Sequence, residues 1–182
     1  MLKKNLLIDL NQRITLIEEC FISEIKSENN DVLNCKPSVK SWSAIECIEH
    51  LNKIGSFYVS EFECSIENAK RCNKNEGVNS TYIGWLMKLL MLPKKGKVVF
   101  KMRTFKQFKP LNSNDNEIIN EFSNQLEQIN NVLKRVEDLD ITDLKINSAI
   151  GSFVTFKLSD AFQFVIAHIE RHLIQAIKAK RS

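Results

Sequence analysis

The sequence predicts an all-α fold: an antiparallel four-helix bundle with a long crossover between its second and third helices. Four extended segments carry apolar residues at a period near 3.6. Only five Gly and three Pro occur in 182 residues, too few for the turn-rich sandwiches and barrels. A connection over roughly 73–113, without obvious regular structure, divides the four segments into two pairs. The length fits one domain, 1–182, with enough chain to bury a core.

The first helix is read from the stripe Leu6, Leu10, Ile14, Ile17, Phe21 and Ile25, with Asp9, Arg13 and Glu18 on other faces. Pro37 and the Ser-rich stretch Ser38 to Ser43 end the connection that follows. The second helix opens at Ser43, because Ser43-Ala-Ile-Glu46 is a capping box, and its apolar positions include Ile48, Leu51, Ile54, Tyr58 and Phe62. Trp42, just before the cap, is placed to staple the start of that helix to the core.

A connection as long as 73–113 is usually functional or partly helical itself. The third helix is expected from near Asn114, with Glu117 as reciprocal cap partner, and buries Ile118, Phe122, Leu126, Ile129, Leu133 and Val136. A second irregular stretch, 140–158, contains Ser152-Phe-Val-Thr-Phe156, a candidate extended segment. The fourth helix is expected after Ser159-Asp160, both good N-cap residues, and to run to about Lys178. Its stripe is Ala161, Phe164, Val165, His168, Leu173 and Ala176, while Lys178, Lys180 and Arg181 suit the negative end of its dipole.

Composition excludes several classes. Apolar residues at 43% and charged residues at 26% are ordinary for a soluble globular chain, and a formal charge of +4 is too mild to imply nucleic acid. Cys20, Cys35, Cys47, Cys64 and Cys72 are odd in number and form no C-x-x-C pair, a pattern of free thiols in a reducing compartment. The N-terminus lacks the features of a signal peptide, and the most apolar run, Tyr82 to Leu92, is too short to span a bilayer and carries Lys88. A soluble, cytoplasmic protein with no membrane contact is expected.

The chain has three histidines. His168 and His172 are four residues apart, about 6 Å along a helix axis and on one face. They share that face with Phe164, Val165 and Ala176, and His50 aligns with Ile54 and Phe57 on the inner stripe of the second helix. Buried neutral imidazoles need partners. Two readings meet that need: hydrogen-bonded core histidines, or a three-imidazole tripod around one metal ion with a coordination position left open, as in catalytic rather than structural sites.

The run Trp42-Ser-Ala-Ile-Glu46-Cys-Ile-Glu-His50-Leu51 resembles the W-S-x-x-E-x-x-x-H-L opening of the second helix in DinB-like (DinB/YfiT-like) metal-binding proteins. His168-Ile-Glu-Arg-His172-Leu-Ile-Gln175 resembles the H-x-x-x-H-x-x-Q of that superfamily's last helix, and Leu92 to Pro110 is similar to the long basic crossover of one branch. The resemblance implies a four-helix bundle with His50, His168 and His172 holding a divalent metal such as nickel, zinc, manganese or iron. It also implies chemistry such as thiol S-transfer or thiol-dependent isomerisation, with a low-molecular-weight thiol in some members, while an ion that lowers the pKa of bound water equally supports a hydrolase-like reaction on a small-molecule substrate.

Around such a site, Gln175 is a candidate to orient an imidazole or a bound water. Glu46, one turn before His50, is assigned to its cap and not to the metal. Glu170 and Arg171 lie off the histidine face as solvent or interface charges. The crossover 93–110 holds Lys94, Lys95, Lys97, Lys101, Arg103, Lys106 and Lys109 among Phe100, Phe105 and Phe108, with no acidic residue. Phenylalanines anchored to the bundle with lysines in water account for it better than single-stranded nucleic acid, and some of these lysines could draw in an anionic substrate. The competing functional reading is a non-catalytic metal-binding or interaction bundle, dimeric through an apolar helix face.

Overall fold

The computed structural model describes residues 1–72, 77–93, 104–111, 115–149 and 151–182, the side chains of 152 and 153 excepted. Six α-helices are found among them: α1 (Lys3–Phe21), α2 (Asn30–Asn34), α3 (Ala44–Glu67), α4 (Tyr82–Met91), α5 (Asp115–Arg135) and α6 (Leu158–Lys180). A short hairpin of β1 (Lys145–Ser148) and β2 (Gly151–Lys157) precedes α6. The fold is predominantly α-helical, as the sequence predicts, and no helix of the described residues is long and apolar enough to cross a membrane.

The four long helices close a ring in which α1 packs on α5, α5 on α3, α3 on α6, and α6 back on α1. Their inward stripes are those of the sequence: Leu6, Leu10, Ile14, Ile17 and Phe21 from α1, Ile25 just beyond it, and Ile118, Phe122, Leu126, Ile129 and Leu133 from α5, are all buried. α1 runs on into a π-helical turn, Ile22–Lys26, whose Glu24 pairs with Lys180 and Arg181 at the end of α6. Lys3 is buried at the other end, where its Nζ donates at 2.8 Å to the carbonyls of both Glu137 and Leu139. A lysine thereby satisfies carbonyls left open beyond the end of α5.

α3 begins where the capping box places it. Glu46 N donates to Ser43 Oγ at 3.3 Å, and Ser43 N donates to Glu46 Oε2 at 2.9 Å. The expected cap of α5 at Asn114 lies outside the described residues, and the helix is described from Asp115.

The expected start of the last helix needs correction. Neither Ser159 nor Asp160 caps it: α6 begins at Leu158, directly out of β2, with Leu158 N donating to the Leu144 carbonyl at 2.8 Å. Strand and helix share the junction, so no loop residue is left to cap. Asp160, only 1% exposed, instead serves α4. Its Oδ2 accepts from Thr81 N at 2.8 Å and Thr81 Oγ1 at 2.9 Å, and its Oδ1 accepts from Ser80. Thr81 is itself the N-cap of α4. Gly84 makes the close approach possible, since a Cβ there would stand 2.3 Å from Asp160 Cγ.

α4 occupies part of the long connection, which is thus partly helical, and packs on α6 with Lys88 donating to Gln163 Oε1 at 2.8 Å. The hairpin realises the extended segment read at 152–156. It is tied to α3 by Asn147 N donating to Glu61 at 2.7 Å and Ala149 N donating to the Tyr58 hydroxyl at 3.3 Å.

Candidate metal centre

His50 lies on the second turn of α3, seven residues beyond its cap, so the capping box that starts the helix also sets the direction in which this imidazole points. It points at α6, where His168 and His172 occupy the same face one turn apart. The structure therefore brings the three histidines together: one ring nitrogen from each lies within 4.8 Å of the others. Ring centroids are 5.2 Å apart for His50 and His168, 4.6 Å for His50 and His172, and 4.5 Å for His168 and His172. All three are buried, at 3%, 5% and 9% exposure in sequence order.

The partners of these rings decide what the cluster can hold. His50 Nδ1 lies 2.8 Å from the carbonyl oxygen of Phe108, which can only accept, so Nδ1 carries the proton and Nε2 keeps its lone pair. Two neighbouring contacts hold the same piece of crossover to α3. Lys53 Nζ donates to the Lys109 carbonyl at 2.7 Å, and Leu111 N donates to both oxygens of Glu49 at 2.9 and 3.0 Å. His172 differs, since its buried Nδ1 has no hydrogen-bond partner among the described residues. An orphaned buried nitrogen is costly unless something other than the polypeptide satisfies it.

Electrostatics point the same way. Burial pushes His168 and His172 well below the ordinary imidazole range, helped by the charges of the neighbouring histidines and Arg171, with Gln175 opposing at His172. Burial also lowers His50, against its bond to Phe108. Neutral imidazole is the form that ligates metal. Three neutral imidazoles with a fixed tautomer at His50 and an unpartnered nitrogen at His172 fit a divalent cation of the zinc, nickel or iron type, for which metal–nitrogen distances are about 2.0–2.1 Å.

Above the cluster opens a cleft of about 520 Å³. Trp42, Ile54, Phe108 and Phe164 wall it, and His50, His168, His172 and Gln175 contribute to its lining. Trp42 does more than brace the start of α3: its ring centroid is 5.0 Å from that of His50 and 6.1 Å from that of His172. Gln175 lines the same cleft as His172. Glu46 is held by its cap and by Lys36 at 2.7 Å, away from any role as ligand.

Two expectations are corrected here. Arg171 is not a surface charge; it is 5% exposed and lines the cleft, because α6 is surrounded closely enough that the flank of its histidine face is also covered. Glu170 faces α1, where Arg13 donates to its two oxygens at 2.7 and 2.9 Å. Of the basic crossover, Lys94, Lys95, Lys97, Phe100, Lys101 and Arg103 lie outside the described residues. Phe105 and Phe108 line the cleft; Phe108 is buried, as the anchoring reading expects, whereas Phe105 is 51% exposed and is not anchored in the core.

Sequence reasoning missed several contributors. Tyr58, a core position by its periodicity, also lines the cleft, and so do Lys40 and Lys178, the latter besides its place at the dipole end of α6. The Phe108 carbonyl leaves no trace in residue type, whereas the i, i+3, i+6 series His172, Gln175, Lys178 was a signal that could have found the last of these.

The model of the DinB superfamily matches residues 22–176, a span that contains all three histidines. No curated protein and no solved structure matches the chain.

Proposed function

The chain belongs to the DinB superfamily, and from that premise we propose that His50, His168 and His172 bind one divalent metal ion and that the protein is a metal-dependent enzyme acting on a small molecule in the cytoplasm. The observation that carries the proposal is the convergence of three buried imidazoles on a cleft large enough for a small substrate. Nickel, zinc and iron suit the three-imidazole donor set, and manganese, which prefers oxygen donors, suits it less well. When bound, such an ion acts as a Lewis acid and lowers the pKa of a thiol or water brought to it.

The residues of the cleft favour a thiol over water. Among the described lining residues there is no Asp or Glu to serve as a general base. Thiol activation needs only the ion and a route for one readily lost proton, whereas hydrolysis is commonly assisted by a carboxylate. Gln175, which lines the cleft, would orient the incoming group, and Trp42, Ile54 and Phe164 give it an apolar wall. The proposed reaction is therefore attack of a low-molecular-weight thiol on an electrophile, with a hydrolase-like reaction as the second reading.

The test is elemental analysis of protein purified without chelator, followed by thiol consumption with a panel of electrophiles. One ion per chain, and turnover abolished in His168→Ala, is the expected result. Stoichiometric metal without turnover of thiol or of ester and amide substrates would leave a metal-binding bundle without catalysis. Folded wild-type protein that takes up no ion would refute the centre itself.

A further inference from the structure

The charges around the cleft are one-sided. Lys40, Arg171 and Lys178 line it, and no carboxylate does so among the described residues. Elsewhere at the end of α6 the cations are neutralised: Lys180 pairs with Glu24 and Glu28, and Arg181 with Glu24. Lys178 belongs to the same basic run yet turns to the cleft and has no ion pair among the described residues. Lys40, from the connection before α3, reaches the same opening and is likewise without one.

A cleft with cations at its margin and an aromatic wall selects a ligand with matching parts. We propose that this cleft binds an organic anion with an apolar body, the anionic group held by Lys178 and Lys40 and the hydrocarbon laid along Trp42, Phe105 and Phe164 towards the histidines. This substrate class rests on the reading of the cleft as the substrate site of the histidine centre. The helix also sets a length. Lys178 lies six residues beyond His172, about 9 Å along the axis, so the anionic group and the reacting group of the ligand stand several bonds apart. Gln175, midway along this ladder, supplies a polar contact between the two ends. Positive potential focused in a partly enclosed cleft also draws such a ligand in from solution.

The experiment compares ligands that share a hydrocarbon and differ in charge: phenylhexanoate, phenylhexyl phosphate and the neutral phenylhexanamide. Binding is measured by calorimetry on wild type, on Lys178→Gln with Lys40→Gln, and on metal-free His168→Ala. Both anions are expected to bind wild type about ten-fold or more tightly than the amide, with the preference shrinking to about three-fold or less in the lysine variant. A stronger effect for the phosphate identifies phosphate monoesters as the better match, and a stronger effect for the carboxylate identifies carboxylic acids; either supports the class. Preference that survives in metal-free His168→Ala supports the lysines as its source, and does so even if the proposed catalysis fails. Equal affinity for anion and amide, no binding of either, preference unchanged in the lysine variant, or preference lost with the metal would each overturn the assignment. Metal content measured on the same samples shows separately whether the histidine centre stands.

Discussion

The carbonyl of Phe108 receives the Nδ1 proton of His50 at 2.8 Å, which joins the crossover to the second turn of α3. A backbone acceptor fixed in this way sets both the tautomer and the tilt of the ring, as outer partners of metal-bound imidazoles do. The grip is shared with Glu49 and Lys53, which hold Leu111 and Lys109 just beyond Phe108. Replacing both side chains, Glu49→Ala with Lys53→Ala, should therefore weaken metal binding by about ten- to a hundred-fold without touching a ligand. Competition titration against a chelator measures it, and an unchanged affinity would show that the strap plays no part.

Removing a ligand acts more severely. His50→Ala, His168→Ala and His172→Ala should each reduce bound metal from one ion per chain to a small fraction, while the helical circular dichroism stays near that of wild type. His50 is the decisive case, since it comes from a different helix from the other two and tests whether α3 and α6 truly share an ion.

Acid should destabilise the metal-free protein through the same residues. His168 and His172 have folded values well below 6.5, and the unfolded chain titrates near its ordinary value. Below about pH 6.5 the unfolded state therefore binds more protons, and stability present above that pH declines as pH falls towards the folded values. Each depressed histidine contributes a slope of up to about 1.4 kcal/mol per pH unit within that window. Urea midpoints taken in chelator between about pH 8 and pH 5 should fall, and should fall less in a variant with His168→Leu and His172→Leu. Stability that rises on acidification would contradict the buried, neutral state of these rings.

The junction of α4 with α6 offers a coupled test. Asp160→Ala leaves Thr81 N and two hydroxyls without their acceptor and should cost about 1–3 kcal/mol. Gly84→Ala drives a methyl into the same carboxylate and should cost about 1–3 kcal/mol by overpacking. With both changes the added methyl still meets Cβ of residue 160 at 2.5 Å, so the clash is eased only in part and the double variant should lose somewhat less than the sum of the two. Additive losses in urea titration would mean that the two residues do not press on each other.

Much of the fold was legible because the long helices bury continuous stripes: every residue from Leu6 to Ile25 read as apolar face in α1 is buried, and so is each of those read in α5. The start of α3 was legible because a capping box is a local rule, satisfied by Ser43 and Glu46 whatever lies around them. Asp160 shows where local rules stop. Its residue type suits a cap, but the helix it caps from outside is some eighty residues earlier in sequence, a contact no periodicity encodes. The histidines were visible as a candidate set through their spacing, yet Arg171 was misplaced by the same method, since helical phase distinguishes faces of one helix and not how far neighbours wrap around it. Phe108 contributes through its backbone, where side-chain chemistry gives no sign.

The indole of Trp42, seated against two of the three imidazoles, gives the molecule a light-emitting gauge of its own occupancy. An ion with unfilled d orbitals arriving between those rings would dim that emission, and a closed-shell ion would shift it only slightly. The other indole, at Trp85, is half open to water on α4 and should stay comparatively steady as an internal reference. Colour and brightness alone would then follow the filling of the centre, and tell apart the kinds of ion that fill it.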